Sequence, residues 1–378
     1  MSGATPQARL TLADDGFSRR EMLGVGLGSL ALAGLSSVLL RHRSPSPETL
    51  VPVAEGTLTL RQRADRKGLM CGTAVPADAL AADPRLRRIL LQDCNILVPE
   101  NELKWGRLQR DDDGPLDFSG AEQIYRFAKA NGMKMRGHTL SWWNGQPKWL
   151  AAKVGAMTAA KTGDFLAAYV AEVAEHWRGR VTQWDVVNEP ITAKGALQDE
   201  LMAGKLGEGF IDIAFHAARE ADPDALLVLN ASLIAQDEWW EDHQQATTLA
   251  LLERLVSRGV PVQALGYEAH VRTDRGFTEA KWRHFLDRIT DLGLKIMITE
   301  LDVDDGKTAG DPERRDAEAA ALVTRLLDTT LDYQNCLGLL TWGPVDRYSW
   351  LRKIPDRARM DGAPLRPTPR DDRYRRKP

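Results

Sequence analysis

From Leu69 onward the chain alternates short apolar or β-branched runs with longer stretches of helical period, a pattern that argues for βα units around a parallel sheet. The candidate strands are Leu69–Val75, Asn95–Glu100, Met133–Leu140, Val181–Asn188, Ala225–Asn230, Val262–His270, Lys295–Asp302 and Leu337–Trp342. Eight such strands are what a closed barrel requires. The fold class expected is therefore α/β, a single-domain (β/α)8 TIM barrel, and 378 residues suffice for one with insertions. The intervening helices carry recognisable ends. Ser119 with Glu122 reads as a capping box, Ile124, Phe127 and Ala128 as the inward face, and Gly132 as the stop. A second helix is expected from about Thr162 to Arg178, with Gly179 behind it.

The first 54 residues do not share this pattern. Ser18-Arg19-Arg20-Glu21 followed by a nearly charge-free stretch to Leu40 has the basic and apolar regions of an export signal, and the paired arginines resemble the twin-arginine type. Residues 1–40 are thus expected to be an export signal or, if retained, a membrane anchor. A linker is expected over 41–54, marked by Pro45, Pro47 and Pro52, and the barrel over 55–378. Either reading places the barrel outside the cytoplasm, in the periplasm or the medium.

With 50 basic against 53 acidic residues the charge is close to balanced, which gives no reason to expect nucleic acid or another polyanion as partner. Cys71, Cys94 and Cys336 have neither metal-ligand spacing nor the density of a disulfide framework, so buried free thiols are expected; a contact between Cys71 and Cys336 stays open. The 11 tryptophans are many, and several stand beside polar residues at the ends of apolar runs. A flat aromatic face so placed suits a ligand that stacks, such as a sugar ring.

In barrels of this kind the active site lies where strands end and their loops converge. The polar residues closing the runs are Glu100, His138, Asn188 with Glu189, Asn230, His270, and Glu300 with Asp302, with Trp342 closing the last. Cleavage of a glycosidic bond needs one carboxylic acid to protonate the departing oxygen and a second carboxylate to attack or to activate water. Glu189 at the end of the fourth strand and Glu300 at the end of the seventh supply such a pair, and strands four and seven are expected on opposite sides of the mouth.

The motifs around these residues resemble glycoside hydrolase family 10, the retaining endo-β-1,4-xylanases. Five ordered segments carry the likeness: Glu100-Asn101-Glu102-Leu103-Lys104-Trp105, Gly137-His138-Thr139-Leu140-Ser141-Trp142, Trp184 to Pro190, Ile298 to Val303, and Thr341 to Trp350. The resemblance implies Glu189 as acid/base, Glu300 as nucleophile and His270 as the residue that orients it. It also implies sugar binding by Glu100, Asn101, Lys104, His138 and Asn188, with Trp142, Trp342 and Trp350 as walls. The implied substrate is xylan or a xylo-oligosaccharide, with no cofactor and no metal. His138 and His270 lack a third residue at ligand spacing, and Asp302 to Gly306 lacks the distal Glu of a calcium loop and reads as an ordinary solvated loop.

Several positions depart from the family pattern. Trp143 stands where a His is usual and Gly145 where a Gln is. Ala231-Ser232-Leu233 replaces Asp-Tyr-Asn, and Glu268 replaces a Gln. Lys377-Pro378 resembles the Lys-Pro before the closing helix, so an absent eighth helix is expected, its flank covered by residues around Leu58–Arg66 or by a partner. A β-glucanase or mannanase of the same clan, and a barrel that binds carbohydrate without turnover, are the competing readings.

Overall fold

The computed structural model describes residues 58–378 apart from 113, 233 and 360; the expected signal over 1–40 and the linker over 41–54 lie outside the described residues. The strands are β1 Met70–Val75, β2 Ile96–Pro99, β3 Lys134–Trp142, β4 Gln183–Asn188, β5 Leu226–Ser232, β6 Ala264–Glu268, β7 His270–Arg272, β8 Lys295–Asp304 and β9 Cys336–Thr341. All pairings are parallel. They run β1 to β6 in sequence, then β6 to β8, β8 to β9, and β9 back to β1, so the barrel closes with eight staves. Strand β7 is the sixth stave resumed after a break at Ala269, and it pairs with β8 alone. The break aims His270 at the mouth, a detail that alternation of apolar residues does not contain.

The helices form where the apolar period is 3.6 and a cap is available. Ala159–His176 is capped by the Thr158 hydroxyl, buries Leu166, Tyr169, Val170 and Val173 along one stripe, and is followed by Gly179 at φ 68°, where a left-handed turn favours glycine. Its Tyr169 stacks on Trp105 with ring centroids 3.6 Å apart, which makes Trp105 a packing residue that fixes the loop after β2. The expected capping box at Ser119 is not formed. Ser119 is the first residue of helix Ser119–Ala130, Asp117 accepts its backbone N–H, and Glu122 is drawn instead to Arg180 and His176.

Two cores result. The larger lies between barrel and helices; the smaller fills the barrel with Ala74, Ile96, Val98, Met297, Leu340 and Trp342. The cysteines are free. Cys71 is opposite Leu339, not Cys336, so the contact left open between those two has no register to support it.

No α-helix follows β9 among the described residues, and the N-terminal segment does not cover that flank as expected. Helix Leu60–Lys67 packs below the barrel instead, with Arg61 donating to the carbonyls of Asn131 and Gly132. The C-terminal segment serves as a strap. Arg366 pairs with Asp316 of helix Pro312–Leu331, Lys377 bonds the buried Asp346, and Arg370 and Arg376 both reach Asp93 of helix Pro84–Asp93. It therefore fastens the last βα unit to the first.

Candidate active site

Cross-strand register puts Trp142, Asn188, Asn230 and Gly266 side by side at one level of β3 to β6. At this level Asn230 is the hub. Its buried amide nitrogen lies 2.7 Å from Asn188 Oδ1, 3.0 Å from Glu300 Oε1 and 3.2 Å from Glu268 Oε1, and its oxygen accepts from the Thr299 hydroxyl at 2.7 Å. Gly266 makes room for this arrangement, since a Cβ there would lie 2.5 Å from Asn230 Oδ1.

Glu300, on β8, is held by charge. His270 Nε2 is 3.3 Å from its Oε2, and His270 Nδ1 donates to Asp302 Oδ1 at 2.8 Å, while Asp302 Oδ2 accepts the Trp350 indole N–H at 2.8 Å. Burial works against a charge on His270, but Asp302 and Glu300 outweigh it and push the imidazole up to about 10. Burial likewise opposes ionisation of Glu300; the His270 hydrogen bond, with His138 and Lys104 nearby, overcomes it and holds the carboxyl below its ordinary range. At neutral pH the pair is thus an imidazolium against a carboxylate. Glu268, His270 and Glu300 could bring three ligand atoms within 4.8 Å of one another, yet an imidazolium with both N–H groups engaged has no lone pair for a metal. His138 gives its Nδ1 to Asp185 at 2.9 Å and lies 3.8 Å from Glu300; Asp185 is also gripped by both terminal nitrogens of the buried Arg136.

Glu189 follows β4 and is half-buried. Its backbone sits at φ 49°, the left-handed region, which costs a non-glycine residue roughly 1–2 kcal/mol. The bond from its N–H to the Asn230 carbonyl at 2.8 Å holds it there. Its Oε2 accepts the Trp143 indole N–H at 2.9 Å, and it lines the same cavity as Glu268. Glu189 and Glu300 both bear on this third carboxyl. Their staves are three apart around the barrel, with β5 and β6 between, and not opposite as expected from the sequence.

The loop after β2 brings Glu100, Asn101 and Lys104 to the same mouth. Lys104 Nζ donates to Asn101 Oδ1 at 3.0 Å, Asn101 Nδ2 contacts Glu100 Oε1 at 3.3 Å, and the ammonium lies 4.7 Å from the Trp142 ring centre. Burial lowers the Lys104 ammonium against the pull of Glu300, Glu100, Glu268 and Glu189, and raises the Glu100 carboxyl. Trp342 is nearly enclosed and meets His138 edge-on at 5.1 Å, so it forms floor more than wall. Trp350 is half-buried beside His270. The Asp302 to Gly306 loop is not the solvated loop expected: Asp304 and Asp305 are buried and paired with Arg272, Arg357 and Arg315. One cavity, of about 340 Å³, is bordered by Trp143, Glu189, Glu268, His270 and Trp350, and another, of about 870 Å³, starts at Glu100 and Asn101.

Over residues 59–378 the sequence matches the family model described as Glycosyl hydrolase family 10. The chain belongs to that family. Within glycosyl hydrolase family 10 it is 31% identical over 262 residues to endo-1,4-beta-xylanase B of Thermotoga neapolitana, covering 69% of this chain and 72% of that one. It is 29% identical over 282 residues to endo-1,4-beta-xylanase C of Phanerodontia chrysosporium, covering 75% of this chain and 67% of the relative. Among solved structures, xylanase 10B from Thermotoga petrophila RKU-1 in complex with xylobiose superimposes with a TM-score of 0.75 at 29% identity, over 85% of this chain and 94% of that chain.

The residues to which the family 10 motifs give a catalytic or sugar-binding role lie around this mouth, while Trp105 from the same motifs packs on Tyr169. The departures have specific consequences here. Trp143 supplies a donor to Glu189 in place of the usual His. Gly145 lets the Trp142 ring approach, since a Cβ would lie 2.9 Å from it. Ala231 is buried and Ser232 receives Gln244, while Leu233 lies outside the described residues. Sequence reasoning named Asn230 and Asp302 only as polar ends of apolar runs and gave no role to Asp185 or Trp143. Asp185 lies within β4, and the Trp143 contact depends on a turn whose course no motif specifies.

Proposed function

We propose that this chain is an exported, retaining endo-1,4-β-xylanase whose catalytic barrel spans 55–378, and that Glu189 is its acid/base and Glu300 its nucleophile. What carries the reading is the unequal setting of two carboxyls that share one neighbour: Glu300 kept ionised by His270 on the floor, Glu189 half-exposed at the rim. In the first step Glu300 attacks the anomeric carbon while Glu189 gives its proton to the departing oxygen. In the second, Glu189 takes a proton from the water that releases the sugar from Glu300. His270 orients the nucleophile through its bond to Asp302. Glu100, Asn101, Lys104 and His138 bind hydroxyls of the glycone, with His138 offering Nε2 because Nδ1 is taken, and Asn188 contacts the reacting sugar. Trp142, Trp342 and Trp350 bound the sugars, and cavities at both ends of this row suit a polymer that enters from the side. The complex of the Thermotoga petrophila xylanase 10B with xylobiose supports a xylose-based substrate. The paired arginines Arg19 and Arg20 support export.

Turnover of an aryl xylobioside and an aryl cellobioside, measured side by side, tests this. The xylobioside should be favoured at least roughly tenfold in kcat/KM, as expected when a site excludes an added hydroxymethyl group. Preference for the cellobioside would favour a β-glucanase, and binding of xylo-oligosaccharides without turnover of either would favour a binding barrel.

A further inference from the structure

Glu268 stands where the family pattern has Gln, and its surroundings constrain how a carboxyl can occupy that place. It is the last residue of β6, only 4% exposed, with Oε1 3.2 Å from the Asn230 amide and Oε2 3.9 Å from His270 Nε2. It lines the same cavity as Glu189. Two ionised carboxylates are both acceptors, so a direct bond between the pair needs a proton on one of them.

The surroundings choose which. Glu189 is half-exposed and already receives the Trp143 N–H, which suits an anion. Glu268 is enclosed, and its one donor, Asn230, is divided among three oxygens. The charged groups that act on it are Asp185 of β4 and Glu189 just after that strand, Glu300 of β8, His270 of β7 and Lys104 from the loop after β2. Asp185 is neutralised by Arg136, and the His270 charge is shared between Asp302 and Glu300. Burial, then the anions Glu300 and Glu189, push the Glu268 carboxyl well above the carboxylate range.

We propose that Glu268 is a positioning residue that keeps its proton through the catalytic cycle and donates its O–H to Glu189, as a neutral stand-in for a Gln amide. The bond is strongest when Glu189 is ionised, so Glu268 supports the base form that activates water in the second step. The kinetic part of this inference rests on the assignment of Glu189 proposed above; the protonation part does not.

Infrared difference spectroscopy on the full chain at neutral pH tests the protonation directly. Wild type should show a protonated-carboxyl C=O band that is lost in Glu268→Gln and kept in Glu189→Gln. A wild-type spectrum without a band assignable to residue 268 overturns the proposal whatever the enzyme's substrate. With an activated aryl xylobioside, Glu268→Ala should lower kcat by at least roughly tenfold and lower KM with it, because the second step is slowed, and Glu268→Gln should recover most of that loss. The alkaline limb of kcat/KM in Glu268→Gln should lie within about half a pH unit of wild type. A move to lower pH by about one unit or more would mean that an anion had been removed, and would contradict a neutral Glu268.

Discussion

The indole N–H of Trp143 points at Glu189 Oε2 across 2.9 Å, although Trp143 is itself 37% exposed at the rim. An indole can only donate, so this bond fixes where the Glu189 carboxyl points. Replacing Trp143 by Phe keeps the ring and removes the donor. With an activated aryl xylobioside, kcat is expected to fall by roughly tenfold because the base is less well placed. An unchanged kcat would show that the bond does not persist in solution.

Asn230 holds Asn188, Glu268 and Glu300 with one amide group. Asn230→Ala leaves those oxygens without a shared donor and frees the two carboxyls to move, so kcat is expected to fall by roughly 10²-fold with circular dichroism unchanged. Steady-state kinetics on an aryl xylobioside reads the effect. A loss confined to KM would mean that Asn230 shapes substrate binding only.

His270 ties the site to stability. Its protonated form is favoured in the folded chain, from an unfolded value near 6.5 up to about 10. A raised pKa means that the stabilisation is complete below about 6.5 and lost as pH rises through about 10, an amount on the order of a few kcal/mol. Urea unfolding of wild type and His270→Asn should therefore show a stability difference that shrinks across that interval. A difference independent of pH would refute the imidazolium assignment.

Much of the fold was legible because a barrel imposes two periods on its sequence, and each of the eight expected staves is found within about two residues of its place. What was not legible depended on groups far apart in the chain. Ser119 looked like a cap until Asp117 took its N–H and Arg180 and His176 took Glu122. The Asp302 to Gly306 loop looked solvated because nothing nearby in sequence announces Arg315 and Arg357 as partners. The site showed the same division. Glu189, Glu300 and His270 were readable as polar ends of apolar runs. The hub role of Asn230 needed the register of β4, β5 and β6, and that of Trp143 needed the turn after β3.

The most direct test is to capture the sugar on the protein. A 2-deoxy-2-fluoro aryl xylobioside slows both steps, the second more, so the glycosyl-enzyme should accumulate and inactivate the chain with a stoichiometry of about one. Peptide mass spectrometry should find the added disaccharide on Glu300, with no adduct in Glu300→Gln. An adduct on another carboxylate, or turnover of the unfluorinated substrate with inversion at the anomeric carbon and no adduct, would contradict the account.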